Sequence, residues 1–253
     1  MNGRDPLMLL HGVTMSAAAW GPVVPLLADR FDLIVPTAAG HRGGPAFSGK
    51  ATISALVDDT ERSLDERGLE AVHIAGNSMG GWMAIELARR GRARSVCALA
   101  PAGFWTVGGP DEARATAKVG TVRQRAIRTR NVMPPLLRFG AVRKAVLRDA
   151  AEHADRLTQD QAIEGMKDMV ECSVADDLLA IHEQVAPLDP LPCPVTIAWS
   201  ENDRIFPPGI HDAVARERVP QARFLVLPGV GHVPMIDDPA ATARVITESV
   251  TMR

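Results

Sequence analysis

Residues 72–90 read VHIAGNSMGGWMAIELARR, and their pattern changes from that of a strand to that of a helix within a few positions. A run of β-branched and apolar residues ends in Gly76-Asn77-Ser78-Met79-Gly80-Gly81, and a helical pattern begins there without an intervening loop. Gly76 and Gly80 stand two residues either side of Ser78, giving G-x-S-x-G. A tight strand-to-helix turn is crowded, and small residues at these two places let its backbone pass. A chain with this junction is constrained to strand–turn–helix units, the building block of a parallel sheet.

The rest of the sequence repeats that rhythm. Short apolar runs at residues 7–10, 33–35, 72–75, 96–100, 195–199 and 223–227 alternate with longer helical patterns. The runs lack strict polar alternation, as strands covered on both faces do. Helices are expected at 18–30, 53–67, 80–90, 209–218 and 239–247. Residues 104–185 break the rhythm with no strand-like run. They predict three helices, at 111–130, 135–153 and 159–184, forming a cap inserted between two sheet strands. The expected organisation is a core of residues 1–103 and 186–253 with a helical cap at 104–185. Arginine and lysine crowd the first two-thirds of that block, from Arg114 to Arg148. A solvated helix face accounts for them, and attraction of acidic substrates or a partner is the sharper alternative.

Bulk properties exclude several classes. Of 253 residues, 46% are apolar and 23% charged, the balance of a soluble globular chain. A formal charge of −2 gives no global field to recruit nucleic acid or an anionic membrane. Cys97, Cys172 and Cys193 are too few and too irregularly spaced for a disulfide framework or a metal pattern, so free thiols are expected. The first apolar run is too short for a signal-peptide core, and no stretch suits a membrane span, so a cytoplasmic location without stable membrane insertion is expected. No metal site or nucleotide loop is visible, and no cofactor is expected.

Ser78 opens a helix, so free backbone N–H groups and the positive end of the helix dipole lie near its hydroxyl. The N–H of Met79 can face a developing oxyanion. A serine hydroxyl is a weak nucleophile and needs a base. His232, in Gly231-His232-Val233-Pro234 directly after the last apolar run, stands at the same carboxyl end of the sheet as Ser78. The base needs an orienting acid. Glu201 and Asp203 both follow the run 195–199, whereas Pro101-Ala102-Gly103 after run 96–100 contains no carboxylate. The order Ser78, acid, His232 is that of one fold family. The loop after the first run, His11-Gly12-Val13, supplies a second oxyanion donor at the N–H of Val13. His11 is read as a loop support and His41 as turn chemistry.

Together these residues resemble the α/β-hydrolase family: HG after the first strand, a G-H-rich loop after the second, G-N-S-M-G-G at the elbow, a helical cap, D-x-x-x-P after the next-to-last strand and G-H-x-P near the end. The resemblance implies an eight-stranded sheet in the full family and a Ser-His-Asp set, with Asp203 chosen over Glu201 because it stands four residues before Pro207. Two departures are notable. Few residues precede Leu7, so about six parallel strands are expected without the family's N-terminal hairpin, leaving 33–35 at an edge where homodimerisation could protect it; a monomer or a homodimer fits. Thr37 stands where many members carry Asp, a residue that shapes the loop there.

The function expected is hydrolysis of a small to mid-sized apolar ester, lactone or thioester through an acyl-enzyme on Ser78. C–C bond hydrolysis of β-diketone-like ring-cleavage products ranks behind it, as does cofactor-free perhydrolase activity. A ligand-binding protein with vestigial turnover is the alternative from another class. Dehalogenase and epoxide hydrolase members use Asp at the nucleophile, and Ser78 argues against both. Trp82, Phe104, Trp105 and Phe206 are the expected pocket residues, and methionines of the cap are expected to adapt to varied ligands.

Overall fold

The computed structural model describes residues 3–251. Six strands form one parallel sheet: β1 Asp5–Leu10, β2 Phe31–Ile34, β3 Val72–Asn77, β4 Ala93–Leu99, β5 Val195–Ser200 and β6 Arg223–Leu227. Their spatial order is β2-β1-β3-β4-β5-β6, so β2 is an edge as expected. The order reverses between β1 and β3, and the carboxyl ends of the strands there carry the loops after residues 10 and 77. Open α/β sheets gather ligands at such a point.

Alternating residues explain why the strands lack polar alternation. Met8 and Leu10 join the core on one face with Ile74, Val96 and Ile197. Leu7 and Leu9 join the core on the other with Ala75, Cys97 and Ala198. Both faces are dry, so both sets of side chains must be apolar. Helices cover them: α1 Val24–Leu27, α2 Ile53–Glu66 and α3 Met79–Arg89 early in the chain, with α8 Pro208–Arg218, α9 Pro234–Asp237 and α10 Pro239–Thr251 after β5. Between β4 and β5 the cap contributes α4 Pro110–Thr129, α5 Gly140–Val146, α6 Gln159–Glu171 and α7 Ala175–Leu179. Cys97, Cys172 and Cys193 are free thiols; burial pushes that of Cys97 up to about 12.

Three expected helices are broken. Residues 18–30 form a 3-10 turn, Ala17–Trp20, and the four-residue α1, because Gly21-Pro22 stops the first turn. The stretch 135–153 holds only a 3-10 turn at Leu136–Arg138 and α5, which starts after Phe139 in extended conformation. Helix 159–184 ends at Glu171, where Cys172 turns extended, and resumes as the short α7. In each case apolar spacing continues through a backbone break that the periodicity does not register.

The loop after β1 is held by His11. Its Nε2 accepts the Ala38 N–H at 3.0 Å, so Nδ1 carries the ring proton and donates to Gly12 O at 2.8 Å. Burial, then the neighbouring His41, lowers the His11 pKa to about 3. Thr37 takes over the shaping of this loop: its Oγ1 accepts the Ala17 N–H at 3.1 Å. The loop thus has its hydrogen bonds with Thr37 at that position.

Two outcomes follow. A Cβ at Gly80 would lie 2.2 Å from Leu10 O, whereas one at Gly165, within α6, meets nothing within 4 Å. Gly80→Ala should therefore lose about 3 kcal/mol or fail to fold, and Gly165→Ala should gain up to about 1 kcal/mol, as read by urea unfolding. Unfolded His11 takes a proton near pH 6.5, while the folded one stays neutral to about 3. Between those values the unfolded chain binds the extra proton, so stability falls as pH drops, by at most about 1.4 kcal/mol per pH unit for this group. His11→Gln, which cannot take the proton, should flatten the decline between pH 6.5 and 5; an unchanged slope would refute the assignment.

Candidate active site

β3 ends at Asn77 and α3 begins at Met79, so Ser78 alone makes the turn. Its backbone has φ 57° and ψ −117°. An L-residue in such a region carries about 1–3 kcal/mol of strain and needs surroundings that enforce it. They do. Ser78 N–H donates to Leu99 O at 3.0 Å, and its carbonyl accepts from Trp82 and Ala102 at 3.1 and 3.0 Å. Side chains at the flanking glycines could not fit, since a Cβ at Gly76 would lie 2.1 Å from Gly80 O. Met79, the first residue of α3, has no carbonyl a turn behind it in the helix to accept its N–H.

Loops after β5 and β6 bring in the other two groups. Asp203 Oδ2 lies 2.8 Å from His232 Nδ1. Its Oδ1 accepts from the Ile205 and Phe206 N–H groups at 2.7 and 2.8 Å. Burial opposes the Asp203 charge, yet the imidazole of His232 and these donors hold its carboxyl below the ordinary carboxylate value. An ionised Asp203 only accepts, so Nδ1 of His232 carries a proton and Nε2 is the ring atom left to exchange one. The Phe206 ring meets the imidazole edge to face, centroids 5.0 Å apart. Glu201, the competing acid, is exposed, and its carboxylate accepts the Gly229 N–H at 2.7 Å.

Ser78 lines a cleft of about 460 Å³, counting its open mouth, together with Val13, Met79, Trp82, Trp105 and Phe206. Phe104 is not on that wall. It is buried against Trp199, and its carbonyl takes a hydrogen bond from His211. The cap side carries Ala115, Thr116, Val119, Leu178, Leu179 and Ile181 and no methionine. A Cβ at Gly12 would touch Ser78 Cβ at 3.3 Å, which places the Val13 loop directly beside the serine.

Three buried polar residues fasten the site, a role that sequence reasoning assigned to none of them, although Asn77 stands in the elbow motif. Asn77 Nδ2 donates to His232 O at 2.9 Å and Leu99 O at 3.1 Å, tying the end of β3 to the histidine loop. Asp237 accepts from Gly231 N at 2.7 Å and from Glu152 and His153 N at 2.9 and 2.6 Å. The cap segment 150–153 is thereby pinned beside His232, and Val233 N donates to Ala150 O at 2.8 Å. Asp168 of α6 accepts from Ser16 Oγ and from Arg42 Nε, each at 2.6 Å, joining the cap to the loop that follows Val13. Each sits in an ordinary polar position of its element, and only the neighbours reveal that it is dry.

Among the described residues, no group of three or more His, Cys, Asp or Glu side chains is placed to hold a metal ion. Residues 7–245 match the model of the alpha/beta hydrolase family. The chain is 34% identical over 200 residues to Epoxide hydrolase EphH of Mycobacterium tuberculosis, covering 77% of this chain and 93% of that protein. Among solved structures, a thermophilic esterase from Thermogutta terrifontis superposes with TM-score 0.72 at 24% identity, covering 96% of this chain and 88% of that one. The enol-lactonase from Burkholderia xenovorans LB400 gives 0.68 at 20% identity over 99% and 93%. At such identities these two likenesses speak for the fold. With the motif residues, the sheet order and the family match in agreement, the chain belongs to the alpha/beta hydrolase family.

Proposed function

We propose that this protein is a serine hydrolase of carboxylic esters, lactones or thioesters with a small to mid-sized apolar acyl group. The observation that carries the reading is the buried His232–Asp203 pair at 2.8 Å, on loops at the carboxyl end of the sheet where Ser78 turns into α3. In this reading residues 104–185 act as a cap over a core of 1–103 and 186–253, and the apolar wall of the cleft takes the acyl chain.

The reaction then runs as follows. Nε2 of His232 takes the Ser78 hydroxyl proton as Oγ bonds to the substrate carbonyl carbon. The carbonyl oxygen becomes an oxyanion that accepts from the N–H groups of Val13 and Met79, each donor lowering the barrier by about 3 kcal/mol. The imidazolium formed is stabilised by ionised Asp203. Collapse of the intermediate breaks the bond to the leaving group, which departs with the proton from Nε2. Water then adds to the acyl-enzyme, giving one proton to Nε2, and the acid leaves as that proton returns to Ser78 Oγ.

The name of the mycobacterial relative raises epoxide opening as the competing reaction. Serine is poorly suited to it. Attack of Oγ on an epoxide carbon would leave an ether on Ser78, and an ether has no carbonyl for water to attack, so turnover would stop after one cycle. The chain also has no tyrosine, and the cleft wall carries no carboxyl or ammonium group to protonate the epoxide oxygen.

With p-nitrophenyl butyrate as substrate, Ser78→Ala should lower kcat/KM by at least about 10³-fold. Styrene oxide should yield no diol; diol formation by the wild type, or esterase activity that survives in Ser78→Ala, would overturn the reading. Asp203→Asn should lower kcat by about 10³–10⁴-fold with KM little changed. Glu201→Gln should leave kcat near wild type, and a loss equal to that of Asp203→Asn would move the acid to residue 201.

A further inference from the structure

The basic run in the cap divides into two sets. Residues 113–148 hold ten arginines and lysines and no aspartate or glutamate, in a chain whose net charge is −2. Some are engaged locally: Arg114 pairs with Asp111, Lys118 with Asp149, Arg123 with Asp176, and Arg143 donates to carbonyls of Leu137 and Asp155. Arg125, Arg128, Arg130, Arg138, Lys144 and Arg148 are exposed, and none pairs with a carboxylate among the described residues. The nearby acids offset little of this. Asp149 faces Lys118 and Glu152 faces Arg204, leaving exposed Asp155 beside α5.

The same corner exposes apolar side chains. Val132 is 62% exposed, Phe139 48%, Leu136 45% and Val146 41%. Val132, Leu136 and Phe139 follow the last turn of α4, and Val146 ends α5. Val132 N still donates to Thr129 O, which sets Val132 one helical turn beyond Arg128. Leu136 opens the 3-10 turn that α5 packs against, and the Arg138 guanidinium lies over the Phe139 ring at 4.5 Å. Charge alone would suit any polyanion. Four exposed apolar side chains among unpaired arginines need a partner with an apolar phase beneath its anionic layer, because on a nucleic acid they would stay wet.

We propose that this corner, from the end of α4 through α5, docks the protein reversibly on an anionic lipid surface. Leu136, Phe139 and their neighbours enter the headgroup layer while the arginines reach phosphates. The chain's overall charge gives no hint of this, because the acids that balance the arginines lie elsewhere. Docking is peripheral: no described helix is long and apolar enough to cross a membrane. None of these side chains lines the cleft at Ser78, so the proposal stands or falls independently of the reaction there.

The test is sedimentation of the full chain with vesicles of phosphatidylcholine alone and of an equimolar mixture with phosphatidylglycerol. Binding should be at least about tenfold stronger to the mixed vesicles and should weaken as salt is raised. The triple variant Arg125→Glu/Arg128→Glu/Arg130→Glu and, separately, Leu136→Ser/Phe139→Ser should each lower it about tenfold while circular dichroism and urea midpoint stay unchanged. No binding, equal binding to both vesicles, or binding indifferent to both variants would overturn the proposal. Tight binding of duplex DNA that survives Leu136→Ser/Phe139→Ser would overturn it too, in favour of a nucleic-acid surface.

Discussion

The first turn of α3 is pressed so closely against the end of β1 on one side and against β3 on the other that neither Gly80 nor Gly76 has room for a methyl group. That contact forces the chain to reverse within one residue and holds Ser78 in a conformation it would not choose alone. The consequences extend outward. The amide of Met79 is left at the helix start, the Val13 loop is brought against Ser78 through Gly12, and the Ser78 carbonyl ties the loop after β4 through Ala102. The strained backbone at Ser78 is stable here because the sheet on one side and the helix on the other both determine it.

Buried polar side chains couple the cap to this frame. Asp237 binds cap amides on one side and the amide preceding His232 on the other, while Asp168 grips Ser16 and Arg42. A buried carboxylate is tolerable only when both its oxygens meet donors, and those of Asp168 and Asp237 do. A movement of the cap away from the core would strip those donors and leave charges in a dry place. The cap is therefore fastened at the His232 loop and at the loop that follows Val13, the two places that, in the proposed reaction, tolerate misplacement least.

Much of this was legible in the residues. The six apolar runs became the six strands, since two-faced burial leaves a continuous apolar signature, and short small-residue motifs located the elbow. The long helices α2 and α4 followed from their spacing. The cap's finer structure was not legible, because Phe139 and Cys172 turn extended inside stretches whose apolar period continues. Phe104 could not be told from a pocket residue: an aromatic next to Trp105 reads the same whether it faces the cleft or Trp199. Asn77, Asp168 and Asp237 were silent for a related reason. All but one of their partners stand 22 to 155 positions away, which no local pattern encodes.

The claim at the centre of this account is that the hydroxyl on the elbow is the group that becomes acylated. It is tested most directly by exposing the protein to a fluorophosphonate and locating the adduct by tandem mass spectrometry. The account predicts one phosphonyl group, on Ser78, with labelling strongly slowed when His232 is replaced by Ala. A phosphonyl group on another residue, or none on a folded protein that still turns over ester, would contradict it.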